Sequence, residues 1–224
     1  MEKLGLLSMG ETPRTDILPV MKREMPDVEL VEYGILDGLD AEARRALEPL
    51  PGDFPLVSRL RDGSQCSLGK KQAAALLEQG LQALHAQGVR TVVLLCTCRF
   101  SLNVPEGMLV LEAGRIIDSA VDAVAREGGT VGLLAPLADQ GRELTEHYGS
   151  LPCRFVTAAA SPYEDVRKAE AAAAALKGAD VVLLHCMGYT APYREAVRRV
   201  CHCPVIQANS LVARFAAELV NSEE

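Results

Sequence analysis

Short apolar runs alternate with longer segments in which apolar residues recur every three or four positions, and this alternation continues along most of the chain. Most of the short runs are apolar on both faces, as in strands of a parallel sheet that is covered by helices. The longer segments have the period of amphipathic helices. Strands are predicted at Lys3–Ser8, Val28–Tyr33, Thr91–Cys96, Thr130–Ala135, Arg154–Thr157, Val181–His185 and Pro204–Gln207. Helices are predicted at Pro13–Met25, Gly69–Gln87, Ile116–Arg126, Asp139–Gly149, Tyr163–Lys177, Pro192–Val200 and Leu211–Val220.

Residues at the ends of these segments favour particular turns. Thr12 followed by Pro13 is a favourable helix start, with a capping hydroxyl and a proline at the first helical position. A hairpin is predicted around Asp62-Gly63. Three glycines follow predicted helices, where a left-handed residue commonly ends a helix. They are Gly88, Gly128 and Gly178.

Two apolar motifs occur twice in the same order. The run LGLL at Leu4–Leu7 recurs as VGLL at Val131–Leu134, and VVLLC at Val92–Cys96 recurs as VVLLHC at Val181–Cys186. Each half of the chain therefore runs from a GLL strand to a VVLL strand that ends in cysteine. We interpret this as an internal duplication. It predicts two pseudo-symmetric, Rossmann-like α/β lobes with parallel sheets and a cleft between the lobes.

Composition and charge limit the classes of function. The net charge is -7, and Lys and Arg form no basic stripe of the kind that binds nucleic acid, so no nucleic-acid partner is expected. No uncharged apolar run approaches the roughly 20 residues that span a bilayer, and the N-terminal apolar stretch is too short for a signal peptide. We therefore expect a cytoplasmic protein with no membrane partner. In that reducing compartment its seven cysteines are not expected to form a disulfide framework.

The cysteines that end the two VVLL strands are the strongest candidates for chemistry. Ligands of parallel α/β sheets bind beyond the carboxyl ends of the strands. If the two lobes face each other by a pseudo-twofold axis, Cys96 and Cys186 confront one another across the cleft. One thiolate could then remove a proton from the carbon next to a carboxylate, while the other thiol delivers a proton to the opposite face. The alternative is that both are small buried residues at strand ends.

The loop after the first strand is a candidate site for the carboxylate of a substrate. It leads directly into the predicted first helix, and a helix N-terminus together with Arg14 could hold such an anion. Four residues of this loop are therefore assigned to the substrate site. They are Ser8, Gly10, Thr12 and Arg14.

Other kinds of catalytic centre are disfavoured, so no metal and no cofactor are expected. His185 and Cys186 carry zinc-binding side chains, but neighbours on a strand point to opposite faces. No lysine lies at the carboxyl end of a predicted strand, where a pyridoxal phosphate enzyme would need one. The phosphate-binding patterns G-x-x-x-x-G-K-[ST] and G-x-G-x-x-G after the first strand are absent from the sequence.

The paired strand endings VVLLCTC and VVLLHCMGYT resemble the aspartate/glutamate/hydantoin racemase superfamily. The segments GETPRTDILP, HCMGY and NSLVARFAAELV are more closely similar to the AroM family. The resemblance implies a racemase-like fold in which the C-terminal segment returns to complete the first lobe. The lobes would then be residues 1–115 with 205–224, and residues 116–204. An apolar stripe on the last helix, Leu211, Phe215 and Leu219, is expected to pack on the first lobe.

The resemblance also implies roles for individual residues. Cys96 and Cys186 fall where the racemases keep their acid/base pair. Thr97 and Cys98 fall where the racemases have side chains that help to bind the amino acid. Met187 stands where a threonine is common, so an amino-acid substrate is not assured. The substrate-binding residues expected after the second cysteine are Met187, Gly188 and Tyr189.

The sequence thus predicts a cofactor-independent enzyme of racemase or isomerase type that acts on a small carboxylate through Cys96 and Cys186. Two alternatives remain open. One is a non-catalytic, regulatory protein that binds a small molecule, and the other is a decarboxylase or lyase that uses the single thiol of Cys186. The oligomeric state is also open, with a homodimer as one candidate.

Overall fold

The computed structural model describes residues 2–220. Strands and helices alternate along them, as the sequence pattern predicts. The strands are β1 (Lys3–Ser8), β2 (Glu29–Gly34), β3 (Pro55–Arg59), β4 (Gln65–Gly69), β5 (Thr91–Leu95), β6 (Leu109–Glu112), β7 (Gly129–Ala135), β8 (Cys153–Ala159), β9 (Val181–Leu184) and β10 (Val205–Gln207). The α-helices are α1 (Leu18–Glu24), α2 (Ala41–Arg45), α3 (Lys70–Ala86), α4 (Ala113–Val124), α5 (Ala138–His147), α6 (Val166–Ala172), α7 (Ala191–Cys201) and α8 (Ala208–Val220).

Two four-stranded parallel sheets have the same topology. The order of the first is β2-β1-β5-β6, and the order of the second is β8-β7-β9-β10. Each strand of the first sheet therefore has a counterpart in the second, at the same place and in the same chain order. This confirms the predicted α/β fold with two lobes and parallel sheets, and it supports the predicted duplication.

The strand registers match the two halves residue by residue. Gly5 on β1 lies opposite Val92 on β5, and Gly132 on β7 lies opposite Val182 on β9. At either glycine, an added Cβ would lie 2.9 Å from a methyl group of that valine. When the halves are aligned on these pairs, TVVLLC at 91–96 matches VVLLHC at 181–186 without a gap. Cys96 is therefore the counterpart of Cys186.

Turn residues confirm part of the prediction. Gly88, Gly128 and Gly178 have φ angles of 81°, 70° and 86°, so each has the left-handed conformation expected after a helix. The predicted hairpin is the antiparallel pair β3 and β4. The sequence pattern missed the short elements β6 and α2, which have too few residues for a periodic signal.

The chain divides into two compact units. The first unit comprises residues 2–113 and 213–220, and the second comprises Gly114–Val212. The predicted first lobe began its C-terminal part at residue 205, and the structure differs there. The strand β10 pairs with β9, and the Val182 amide donates to the Pro204 carbonyl at 3.0 Å, so residues 205–212 belong to the second unit.

The last helix buries a different face from the one expected. Phe215 is 47% exposed and Leu219 is 48% exposed, so the predicted stripe through these residues is wrong. The buried face consists of small and β-branched residues, which allow a helix to approach its neighbours closely. They are Val212, Ala213, Ala216, Ala217 and Val220.

Each unit has its own apolar core built around its sheet. In the first unit the core includes Leu7 and Leu94 of the sheet and Leu77 of α3. In the second it includes Leu134 and Val182 of the sheet. Within residues 2–220, no helix combines the length and the apolar character needed to cross a membrane.

Candidate functional site

The predicted site residues lie at the carboxyl ends of central strands in both units. In the first unit, Ser8 ends β1 and pairs with Leu95, and Cys96 follows directly. In the second unit, Cys186 comes two residues after β9. Carboxyl ends of adjacent parallel strands are the usual position of ligand sites in such sheets.

Cys96 is half-buried at the point where the chain leaves β5 and bends at Thr97 and Cys98. The Cys98 thiol donates a hydrogen bond to the Cys96 sulfur, and this bond is the main reason why the pKa of Cys96 is lowered. Burial opposes the shift, whereas a backbone hydrogen bond from Cys98 and the positive charges of Lys70 and Arg14 add to it. The thiolate, which is the nucleophilic and basic form of cysteine, therefore forms more easily at Cys96 than at an ordinary cysteine.

Arg14 is 2% exposed and forms an ion pair with Asp16. Its Nε and one terminal nitrogen donate to the two Asp16 carboxylate oxygens at 3.0 and 2.8 Å, and the other terminal nitrogen donates to Ser8 Oγ at 2.6 Å. Its amide donates to Glu32 at 2.8 Å. These contacts favour a role in holding the loop at the end of β1 and in supplying positive charge near Cys96. The predicted role of Arg14 in binding a substrate carboxylate stays a prediction.

The predicted helix start at Thr12 is wrong. The Thr12 amide and hydroxyl donate to the two carboxylate oxygens of Asp37 at 2.9 and 2.6 Å, and the first helix begins only at Leu18. Asp37 also accepts from the Gly34 amide at 3.0 Å, so it joins the loop after β1 to the loop after β2. The Thr12–Pro13 peptide is cis. The loop therefore presents no helix N-terminus at Thr12 to an anion.

Gly10 is buried where the β3–β4 hairpin packs on the same loop. An added Cβ would lie 2.3 Å from the Arg59 carbonyl oxygen and 2.6 Å from Ser58 Oγ. The Gly10 amide donates to Ser8 Oγ at 3.1 Å. Close packing of backbone on backbone thus accounts for glycine at this position.

In the second unit, side-chain amides hold the loop that carries Cys186. Asn209 Nδ2 donates to the carbonyl oxygens of Met187 and Tyr189, each at 2.9 Å. Gln207 Nε2 donates to the same Tyr189 carbonyl at 2.9 Å and to Asn209 Oδ1 at 2.7 Å. These two residues fix the backbone that follows the half-buried Cys186. The sequence reasoning missed both, although Asn209 begins the NSLVARF segment that indicated the family.

Tyr189 and Gly188 are packing residues in this loop. Tyr189 is fully buried, its hydroxyl donates to the Ala160 carbonyl at 2.6 Å, and burial raises its pKa well above the usual value. An added Cβ at Gly188 would lie 2.5 Å from the Tyr163 hydroxyl oxygen. Gly188 therefore lets the Tyr163 phenol lie against the loop, a contact that the sequence did not indicate.

A buried polar network lies beside the same strand end. The Tyr148 hydroxyl donates to Asp118 Oδ1 at 2.8 Å and is in hydrogen-bond contact with His185 Nε2 at 3.1 Å. Burial lowers the pKa of His185 to about 4, so its imidazole is neutral at pH 7. Its counterpart in the first unit is Leu95, so the network belongs to one repeat. Among residues 2–220, no group of three or more His, Cys, Asp or Glu side chains is arranged to hold a metal ion.

Replacing His185 with leucine, the residue of the other repeat, is expected to flatten the acid dependence of stability. A histidine titrates near 6.5 when unfolded, and here near 4 when folded. The folded wild-type protein should thus keep its full stability above pH 6.5 and lose roughly 3 kcal/mol as the pH falls towards 4. Urea unfolding of both proteins at several pH values between 7 and 4 measures the difference. If the free energies of unfolding of the two proteins changed in parallel with pH, the result would contradict a neutral buried imidazole at position 185.

A family model described as AroM protein matches residues 4–220 of this chain. No curated protein sequence matches it significantly.

Solved structures with a similar fold include racemases and a decarboxylase. Glutamate racemase from Francisella tularensis, solved with D-glutamate, has a TM-score of 0.60 at 12% identity, over 100% of this chain and 84% of that chain. Unliganded arylmalonate decarboxylase has a TM-score of 0.61 at 15% identity, over 100% of this chain and 94% of that chain. Allantoin racemase from Klebsiella pneumoniae has a TM-score of 0.56 at 16% identity, over 98% of this chain and 88% of that chain. These similarities establish a racemase-like fold.

Proposed function

The chain belongs to the AroM protein family, and we propose that it is a cofactor-independent enzyme that transfers protons at the carbon next to the carboxylate of a small substrate. Cys96 and Cys186 are the proposed acid/base pair. The observation that carries the proposal is their equivalence. The same strand of each repeat ends in a half-buried cysteine at the same register position.

The two thiols have the chemistry that such a reaction needs. Hydrogen bonding from Cys98 lowers the pKa of Cys96, so this residue is the proposed base in its thiolate form. It accepts the α-proton, and Cys186 donates its thiol proton to the other face of the carbanion. The proton count is unchanged, and the configuration of the carbon is inverted. A thiolate and a thiol suit a reaction that needs one base and one acid.

Several residues at the strand ends are proposed to surround the substrate. Thr97 is a half-buried residue next to Cys96, and its hydroxyl is proposed to contact the substrate. The backbone of Met187 and Gly188, fixed by Asn209, borders Cys186. The relatives of similar fold are named for glutamate, allantoin and arylmalonate, so we propose the class of small 2-substituted carboxylates and related acids rather than one compound.

The reaction can be tested by solvent exchange. The protein is incubated in deuterated water with a panel of small carboxylates that includes aspartate, glutamate, malate-like diacids and an arylmalonate. We expect deuterium at the α-carbon of at least one compound, detected by proton NMR, because thiols equilibrate with solvent. Tight binding without deuterium incorporation would instead favour a regulatory binding protein. Release of carbon dioxide from the malonate, with no exchange of the other acids, would favour a single-thiol decarboxylase.

A further inference from the structure

The Cys96–Cys98 thiol pair occurs in one repeat. Cys98 donates its thiol hydrogen bond to the Cys96 sulfur. In the second unit the counterpart of Cys96 is Cys186, and the residue two positions later is Gly188. The repeated fold therefore does not require a second thiol at this place. The first unit has gained a contact between two sulfur atoms that the second unit lacks at the matching position.

The local backbone brings the two cysteines within reach of a covalent bond. In a fully extended chain, Cα atoms two residues apart are separated by roughly 7 Å, beyond the distance that most disulfides span. The chain bends at Thr97 and Cys98, and the Cys98 thiol is in hydrogen-bond contact with the Cys96 sulfur. Cys96 and Cys98 are both half-buried residues. We propose that Cys96 and Cys98 form a reversible disulfide, a redox modification site that removes the Cys96 thiolate.

The chemistry balances with a hydroperoxide as the oxidant. The Cys96 thiolate attacks the outer oxygen, the O–O bond breaks, and Cys96 becomes a sulfenic acid while the alkoxide or hydroxide takes up a proton. The Cys98 thiol then attacks the sulfenic sulfur, the S–S bond forms, and water leaves. In sum, two thiols and one hydroperoxide give one disulfide, one alcohol or water, and one further water. A dithiol reductant reverses the bond by thiol–disulfide exchange.

The sequence allows a direct measurement. Trypsin cleavage after Arg90 and Arg99 releases the peptide Thr91–Arg99, whose cysteines are Cys96 and Cys98 alone. The full-length wild-type protein is treated with a small excess of hydrogen peroxide, alkylated and digested with trypsin. The mass of the peptide is then measured by mass spectrometry. We expect this peptide to become lighter by two hydrogen atoms and resistant to alkylation, and dithiothreitol to restore both thiols. Its oxidation should be roughly tenfold faster than that of Cys153, because burial raises the pKa of the Cys153 thiol.

A matched variant separates the two chemical steps. In Cys98→Ser, Cys96 should stop at the sulfenic acid, which a 1,3-diketone reagent traps, or proceed to sulfinic acid. The proposal would be overturned if the wild-type peptide acquired two or three oxygen atoms without forming the internal disulfide. A disulfide that joins two chains through Cys96 would overturn it as well. The measurement needs no substrate, so its result stands apart from the proposed proton transfer.

Discussion

Replacing Cys96 with serine is expected to reduce α-proton exchange by about 100- to 10,000-fold, the range typical for the loss of a general base. A serine hydroxyl is a far weaker base than a thiolate, although it keeps the size and the hydrogen-bond capacity of the thiol. The rate of deuterium incorporation, measured separately for each enantiomer of the substrate, checks this expectation. Exchange from the face that Cys96 serves should disappear.

The variant Cys186→Ser completes this experiment. It should impair exchange from the other face, and each single variant should therefore lose racemisation while keeping some exchange of one enantiomer. Cys153→Ser is the matched control, since this half-buried thiol lies at the start of β8. If Cys186→Ser abolishes activity while Cys96→Ser has no effect, a one-thiol mechanism is the better explanation.

Replacing Arg14 with leucine is expected to destabilise the fold by about 3–5 kcal/mol, the typical result of removing one partner of a buried ion pair. Asp16, whose side chain is 10% exposed, would lose its ion-pair partner, and Ser8 and Asp16 would lose their guanidinium donors. Urea unfolding at pH 7 measures the change in the free energy of unfolding.

Arg142→Leu is the control for the ion pair. A terminal guanidinium nitrogen of Arg142 lies 2.6 Å from Asp139 Oδ1, but the two side chains are 74% and 67% exposed. The loss of unfolding free energy should therefore stay below about 1 kcal/mol. If Arg14→Leu were equally mild, the buried pair would not hold the loop at the end of β1 as we infer.

Sequence reasoning could predict the sheets because their signal is local and repeated. The run Lys3–Ser8 is apolar on both faces, and its predicted bounds are those of β1. The position of Cys96 and Cys186 at strand ends followed from the same pattern. The gapless match between the halves needed the strand register, because VVLL at Val92–Leu95 and VVLL at Val181–Leu184 are displaced by one residue in the structure.

The parts that could not be predicted depend on contacts between distant residues. The sequence around Thr12 has the features of a helix start, but Asp37, 25 residues later, accepts both of its hydrogen bonds. Similarly, Asn209 holds the Met187 carbonyl across 22 residues. The faces of α8 were misjudged for another reason, since its alanines and its larger apolar residues give two overlapping apolar stripes.

The difference between Cys98 and Gly188 has a consequence for how a duplicated protein acquires directional chemistry. Copying one half of a chain produces two identical cysteines, and identical groups have no reason to divide the roles of donor and acceptor. A single added thiol beside Cys96 breaks that equality, because it stabilises negative charge on one sulfur and has no equivalent at the matching position beside the other. The side chain that lowers the pKa of Cys96 is also its partner in the proposed disulfide. Under both proposals, the distinct role of Cys96 and its sensitivity to oxidation would depend on this one neighbouring residue.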